Sequence, residues 1–232
     1  MKEREYIIPK KKIGRGFKGD DQIDREFFNT CLIGKTNSGK TTAILNLLNT
    51  FCDKNSVIWF YVPTQELDAG YDEIKRLLDS KDIEYTFEEF SKETFEESIS
   101  NMKFLLAEEK KEAAEENRKE VLPNFFTIFD DVSYDILRSR ELEYFARKSR
   151  HYHNRLIIST QSPQITKTLF LQIYMLILFG GISPYYLEHI YKSYPMDVDK
   201  DKFIEIYKKV TAEPYKFLTI INGSEFRDGL FK

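Results

Sequence analysis

Cysteine is scarce in this chain of 232 residues: Cys31 and Cys52 stand in or beside apolar runs, without CxxC or Cys/His spacing. Neither a disulfide framework nor a zinc site is indicated, and a reducing compartment is expected. Histidine is nearly as rare, and His151 and His153 have no cysteine or acid completing a ligand set, so they predict no metal centre. Charge of one sign is also lacking, since 35 Lys+Arg face 38 Asp+Glu and leave −3. Wholesale coating of nucleic acid is thereby excluded, and any such contact must come from a local patch. The N-terminal MKEREYIIPKKK has no apolar core, so no secretory signal is expected. One charge-free stretch lies between Lys167 and Glu188, but it holds Gln172, Gly180-Gly181, Ser183 and Pro184. Its dense apolar part, Ile173 to Phe179, reads as a buried parallel strand, so no stable membrane span is expected. What is abundant is core material, 41% hydrophobic and 15% aromatic, which excludes a disordered or collagen-like chain.

Residues 1–25 carry eight bases and five acids and read as a basic, solvated N-terminal arm. Residues 26–232 read as one domain. Within it, apolar runs at Phe27 to Ile33, Val57 to Val62, Phe125 to Phe129, Leu156 to Thr160 and Ile173 to Phe179 predict buried strands. Helical patterns lie between them at Thr41 to Phe51, Ala69 to Leu78 and Tyr134 to Ser149, and a terminal strand is expected over Lys216 to Ile221. Twelve acids and six bases between Glu84 and Glu120 predict a charged helical insertion, most simply a long solvated helix. Strands alternating with helices predict an α/β fold with a central, mostly parallel sheet flanked by helices.

Gly34-Lys35-Thr36-Asn37-Ser38-Gly39-Lys40-Thr41 fills the phosphate-binding pattern GxxxxGK[ST], between an apolar strand and a helix. The two glycines let the backbone turn its N–H groups inward, toward phosphate oxygens at the positive end of the helix. Lys40 should reach the β- and γ-phosphates, and the Thr41 hydroxyl should ligate Mg²⁺. The Phe125 to Phe129 strand ends in Asp130-Asp131, which places carboxylates at the carboxyl edge of the sheet. Asp130 can then hold the Mg²⁺ shell while Asp131 orients or deprotonates a water, unless the pair only caps a helix with Ser133. Gln161, after the fourth strand, sits at the same edge and can bond water or γ-phosphate. Between Arg138 and Arg155 six bases face two acids, and Arg150 is the candidate to stabilise transition-state charge across a subunit boundary, with Arg147 and Arg155 as substitutes.

A phosphate-binding loop, a strand ending in two acids and a strand ending in Gln together resemble an additional-strand P-loop NTPase of the FtsK/HerA superfamily. Four pieces carry the likeness: GKTNSGKTT over Gly34 to Thr42, Val62-Pro63-Thr64 with Asp68, Phe129-Asp130-Asp131, and Arg150-His151 leading to Ile157-Ile158-Ser159-Thr160-Gln161. Within the superfamily the chain is similar to the poxvirus-type genome-packaging ATPases of large DNA viruses and virophages. The resemblance implies ATP and Mg²⁺ as ligands, held by Gly34 through Thr42 with Thr41 and Asp130 on the metal. It assigns Asp131 to the water, Gln161 to γ-phosphate sensing and Arg150 to a finger acting in trans. It also implies a homo-oligomeric ring, pentamer or hexamer, threading double-stranded DNA into a capsid at a portal vertex. The setting implied is intracellular: host cytoplasm, viral factory or virion. Many superfamily members have Glu where this chain has Asp131, which shortens the proposed base.

Two other classes fit the phosphate loop. A monomeric P-loop phosphotransferase would want an Arg-bearing lid and an acceptor pocket and has no use for Gln161. A nucleotide-binding assembly scaffold without turnover has no use for Asp131. A GTPase switch lacks support, because no NKxD segment is present.

Overall fold

The computed structural model describes residues 17–19, 21–63 and 69–230. Most of the expected basic arm, and Thr64 and Asp68 of the second piece, lie outside the described residues. The elements run β1 (Thr30–Ile33), α1 (Lys40–Phe51), β2 (Ser56–Tyr61), α2 (Ala69–Ser80), β3 (Glu84–Glu88), α3 (Lys92–Glu115), β4 (Asn124–Asp130) and α4 (Tyr134–Leu137). They continue with α5 (Arg140–Lys148), a 3-10 turn at Ser149–Tyr152, β5 (Asn154–Thr160), α6 (Lys167–Phe170) and β6 (Met175–Phe179). Last come α7 (Pro184–Ser193), α8 (Lys200–Val210), β7 (Phe217–Ile221) and β8 (Glu225–Asp228).

The eight strands form one sheet in the order β3-β2-β4-β5-β1-β6-β7-β8. The six strands from β3 to β6 pair in parallel, whereas β7 and β8 join antiparallel. Alternation along each strand divides the apolar side chains between two cores. Cys31, Ile33, Trp59, Tyr61, Phe125 and Phe129 enter one core, beside residues of α3, α5, α7 and α8. Leu32, Ile58, Phe60, Phe126 and Ile128 enter the other, beside α1 and α2. A sheet covered on both faces explains why its central strands read as continuous apolar runs. The run Ile173 to Phe179 resolves accordingly into the buried strand β6, and among the described residues no helix is long and apolar enough to cross a membrane.

Three sequence expectations change. The segment expected to be helical from Glu84 opens instead with β3, pairing parallel with β2 from Glu84 to Glu88. Its Glu-Tyr-Thr-Phe-Glu alternation suits an edge strand, and the stack of Phe87 on Phe60, 4.3 Å between ring centres, holds it there. The helix that follows is not simply solvated, because Phe95, Met102, Leu106 and Ala113 are buried on one side of it. The expected helix Tyr134 to Ser149 breaks at Arg138-Ser139, where the Ser139 side chain accepts from Leu142 N–H and starts α5. The described end of the basic arm is docked rather than free: Ile23 is buried, and Lys18 Nζ donates to the Cys52 carbonyl at 2.6 Å.

Candidate nucleotide site

The order β4-β5-β1 gathers three strand ends at one edge. Ile33, which precedes the glycine loop, is in register with Thr160, and Ser159 is in register with Asp130. The loop, Asp130-Asp131 and Gln161 are thus brought together by parallel pairing alone. Gly34 N–H donates to the Thr160 carbonyl at 3.1 Å and ties the loop to β5. Asn37 (φ 60°) and Gly39 (φ 102°) both take left-handed backbone, which folds the loop over the start of α1. A Cβ on Gly34 would lie 2.6 Å from Ser38 Oγ and 2.7 Å from Phe179 Cβ, so the close approach requires glycine.

The loop, α1 and the ends of β4 and β5 line a cleft of about 550 Å³, with Asp130, Asp131, Gln161, Lys40, Thr41 and Thr42 on its walls. Thr36, Asn37 and Gly39 line it too, while Gly34, Lys35 and Ser38 belong to the loop without facing the cleft. Lys40 is buried, and its Nζ donates to the carbonyls of Gly34 and Lys35, each at 3.0 Å. Burial lowers its pKa, and the carboxylates of Asp131 and Asp130 oppose that shift. Asp130, also buried, is pushed the other way: desolvation raises its pKa with help from Asp131, against the hydroxyls of Ser159 and Tyr71 and the charge of Lys40. A positive charge entering beside Asp130 would relieve that strain.

Asp131 takes left-handed backbone (φ 51°), fixed by its N–H donating to the Ser159 carbonyl at 3.0 Å. This turn swings its carboxylate into the cleft, where the Gln161 amide donates to both oxygens at 2.9 and 3.0 Å. The residues fit a bound nucleoside triphosphate and a divalent cation. Lys40 rests on loop carbonyls it can exchange for phosphate, and Thr41 with Asp130 offers the hard oxygen donors Mg²⁺ takes.

Arg150 is not at this edge. It lies exposed in the 3-10 turn before β5, separated from Gln161 by the whole seven-residue strand, roughly 20 Å of chain. Arg147 is exposed nearby, but Arg155 faces the core at 2% exposure, 5.1 to 5.6 Å from the ring centres of Phe27, Phe51 and Phe126. Burial pushes its pKa down to about 10, and so enclosed a guanidinium cannot substitute for Arg150.

Besides Gly70, two cleft side chains escaped sequence reasoning. Tyr71, in the first turn of α2, donates its hydroxyl to Asp130 Oδ2 at 2.7 Å, and Tyr215, 73% exposed, lines the cleft from the loop before β7. Neither carries a spacing signal, because each arrives through packing of a distant element.

A family model described as "Poxvirus A32 protein" matches residues 16–231. No curated protein matches the chain. Among solved structures, the genome packaging NTPase B204 from Sulfolobus turreted icosahedral virus 2, in complex with AMP, matches with a TM-score of 0.59 and 17% identity, covering 90% of this chain and 98% of that one. B204 from Sulfolobus turreted icosahedral virus, described as a DNA-packaging ATPase, gives 0.56 at 17% identity, with 90% and 98% covered. EssC (ATPases 2 and 3) from Geobacillus thermodenitrificans gives 0.57 at 15% identity, with 88% of this chain and 39% of that one covered. At these identities the structures establish a shared P-loop ATPase fold, while the family match spans nearly the whole chain. The chain belongs to the Poxvirus A32 protein family, as its likeness to the poxvirus-type packaging ATPases implied.

Proposed function

We propose that this protein hydrolyses ATP to drive double-stranded DNA into a viral capsid, acting as a ring of five or six copies at a portal vertex. The observation that carries the reading is the Gln161–Asp131 pair, held beside the phosphate loop in the cleft that contains Lys40 and Asp130. A phosphotransferase or a scaffold has no need of a glutamine on that carboxylate. Family membership and the likeness to B204, a genome packaging NTPase, support this reading.

Each residue has a definable task. The loop from Gly34 to Thr42 wraps the phosphates with backbone N–H groups, and Lys40 leaves the loop carbonyls to meet the β- and γ-phosphates. Thr41 and Asp130 would hold Mg²⁺, which when bound neutralises charge on the phosphate oxygens. Asp131 orients the attacking water and accepts its proton, and Gln161 moves between the Asp131 carboxylate and the γ-phosphate. Arg150, too far from its own cleft, serves the neighbouring subunit in trans and makes turnover depend on assembly. The work is done inside the infected cell, in cytoplasm, factory or virion.

The test is steady-state ATP hydrolysis by the purified protein and by Asp131→Asn, each with and without double-stranded DNA. Turnover that rises with DNA and falls about 10²- to 10⁴-fold in the variant is expected. ATP binding without turnover at assembling concentrations would overturn the motor reading.

A further inference from the structure

A second concave surface opens on the side of the molecule where α4, the segment after Gln161 and one side of α7 converge. It encloses about 410 Å³ and is lined by Tyr134, Arg138, Gln164, Lys167, Tyr185 and His189, among others. No acidic residue lines it. Acids of the surrounding elements are turned to other tasks or stand outside: Glu143 accepts from the Thr166 hydroxyl, Glu188 pairs with Lys192 at 2.9 Å, and Asp135 is exposed on α4 outside the lining. Arg138 and Lys167 are exposed and make no ion pair among the described residues. The Arg138 guanidinium lies 4.9 Å from the centre of the Tyr134 ring and donates to its hydroxyl. Tyr185 is 74% exposed, its ring 5.4 Å from that of Tyr186. His189 Nε2 is buried and finds no partner.

Tyr134, Tyr185 and Tyr186 line the groove together, so it presents aromatic faces and hydroxyl groups beside its two cations. The polar complement here, Arg, Lys, Gln and Tyr with no acid, is the set of side chains that grips a phosphodiester backbone. We infer that this groove docks the sugar-phosphate backbone of duplex DNA, and the inference rests on the packaging reading above. The position also gives it leverage on hydrolysis. Tyr134 follows Asp131 by three residues and Gln164 follows Gln161 by three, so both walls of the groove are direct continuations of the pair that controls the water. A backbone seated between them bears on the spacing of Asp131 and Gln161 without touching the nucleotide.

The experiment measures binding of a fluorescently labelled DNA duplex across a salt series, for the wild-type protein, for Arg138→Ala with Lys167→Ala, and for Lys110→Ala with Lys111→Ala. The last pair removes the same charge from α3, away from the groove. The groove pair is expected to weaken binding about tenfold or more at low salt and to reduce the log–log salt slope by about 2, while the α3 pair leaves both near the wild type. The duplex concentration that half-maximally stimulates ATP hydrolysis should rise by the same factor. A single Tyr185→Ala variant should weaken binding with no change in salt slope, since it removes no charge. Equal losses in the two charge pairs would reduce the effect to general electrostatics and overturn the groove. Tight duplex binding unaltered by the groove pair would overturn it while leaving the motor intact. No duplex binding by the wild type at any salt would overturn the motor reading and the groove with it.

Discussion

The two edges of the sheet are built from similar polar residues to opposite ends. At the amino edge, Asn29 is buried and saturated: its amide donates to the carbonyls of Ala146 and Gln172 at 2.8 and 2.9 Å, and its oxygen accepts from Ser149 at 2.7 Å. At the carboxyl edge, Lys40 and Asp130 are poised rather than saturated: an ammonium resting on loop carbonyls, and a carboxyl held from its ordinary ionisation by burial. Not every amino-edge group is so satisfied, since Asn154 Nδ2 and Arg155 Nε and Nη1 lack hydrogen-bond partners among the described residues, but those are sealed in the core, whereas Lys40 and Asp130 line an open cleft where a ligand can reach them.

The largest effect tests whether the amino edge is only structural. Replacing Arg150 by alanine should lower ATP turnover by about 10³-fold or more while ATP affinity persists, measured by steady-state rate against equilibrium titration. Undiminished turnover would remove Arg150 from the reaction and leave that edge purely architectural. Lys40→Ala should weaken binding of a fluorescent ATP analogue by about two orders of magnitude, the scale of a lost charge-assisted contact of about 3 kcal/mol. Affinity retained in that variant would show that backbone N–H groups alone suffice.

Asn29→Ala should cost about 1–3 kcal/mol in a chemical denaturation series, because the Gln172 carbonyl loses its side-chain donor and the Ala146 carbonyl and Ser149 hydroxyl are left only with each other. ATP affinity should stay at the wild-type value, and its loss would mean the edges are coupled. The smallest effect has the opposite sign. Folding raises the Asp130 pKa, so this carboxyl favours the native state at acid pH, and that contribution is lost as pH rises through the folded value. Ionised at neutral pH it costs stability, so Asp130→Asn should modestly raise the melting temperature of nucleotide-free protein near pH 7. The gain should vanish below the ordinary carboxylate range, and a lowered melting temperature at neutral pH would contradict the poised description.

Legibility in the sequence followed the range of the interactions. The glycine loop, Asp130-Asp131 and Gln161 are local signals at strand ends, and parallel pairing of β1, β4 and β5 converts them into one cleft. Tyr71 was invisible because its bond to Asp130 spans 59 positions and depends on how α2 lies against the sheet. Arg155 looked like one more surface base beside Arg147 and Arg150, since sequence spacing does not show three phenyl rings closing around a guanidinium. β3 hid inside an acidic segment because an edge strand needs only one covered face, and net charge outweighed its short alternation. The break between α4 and α5 turns on Ser139 as a cap, a signal that a continuous helical pattern obscures.

The two outermost strands carry a consequence for assembly. β3 ends the sheet with Glu84 and Glu88 at its termini, and β8, at the other end, spells Glu-Phe-Arg-Asp. Charged and short, both disfavour a further strand laid alongside them, which works against copies of this chain continuing one another's sheet into an open fibre. In the proposed ring, subunits would then meet through side chains and loops, contacts that can slide and re-form between turns of a working cycle without unzipping a backbone ladder.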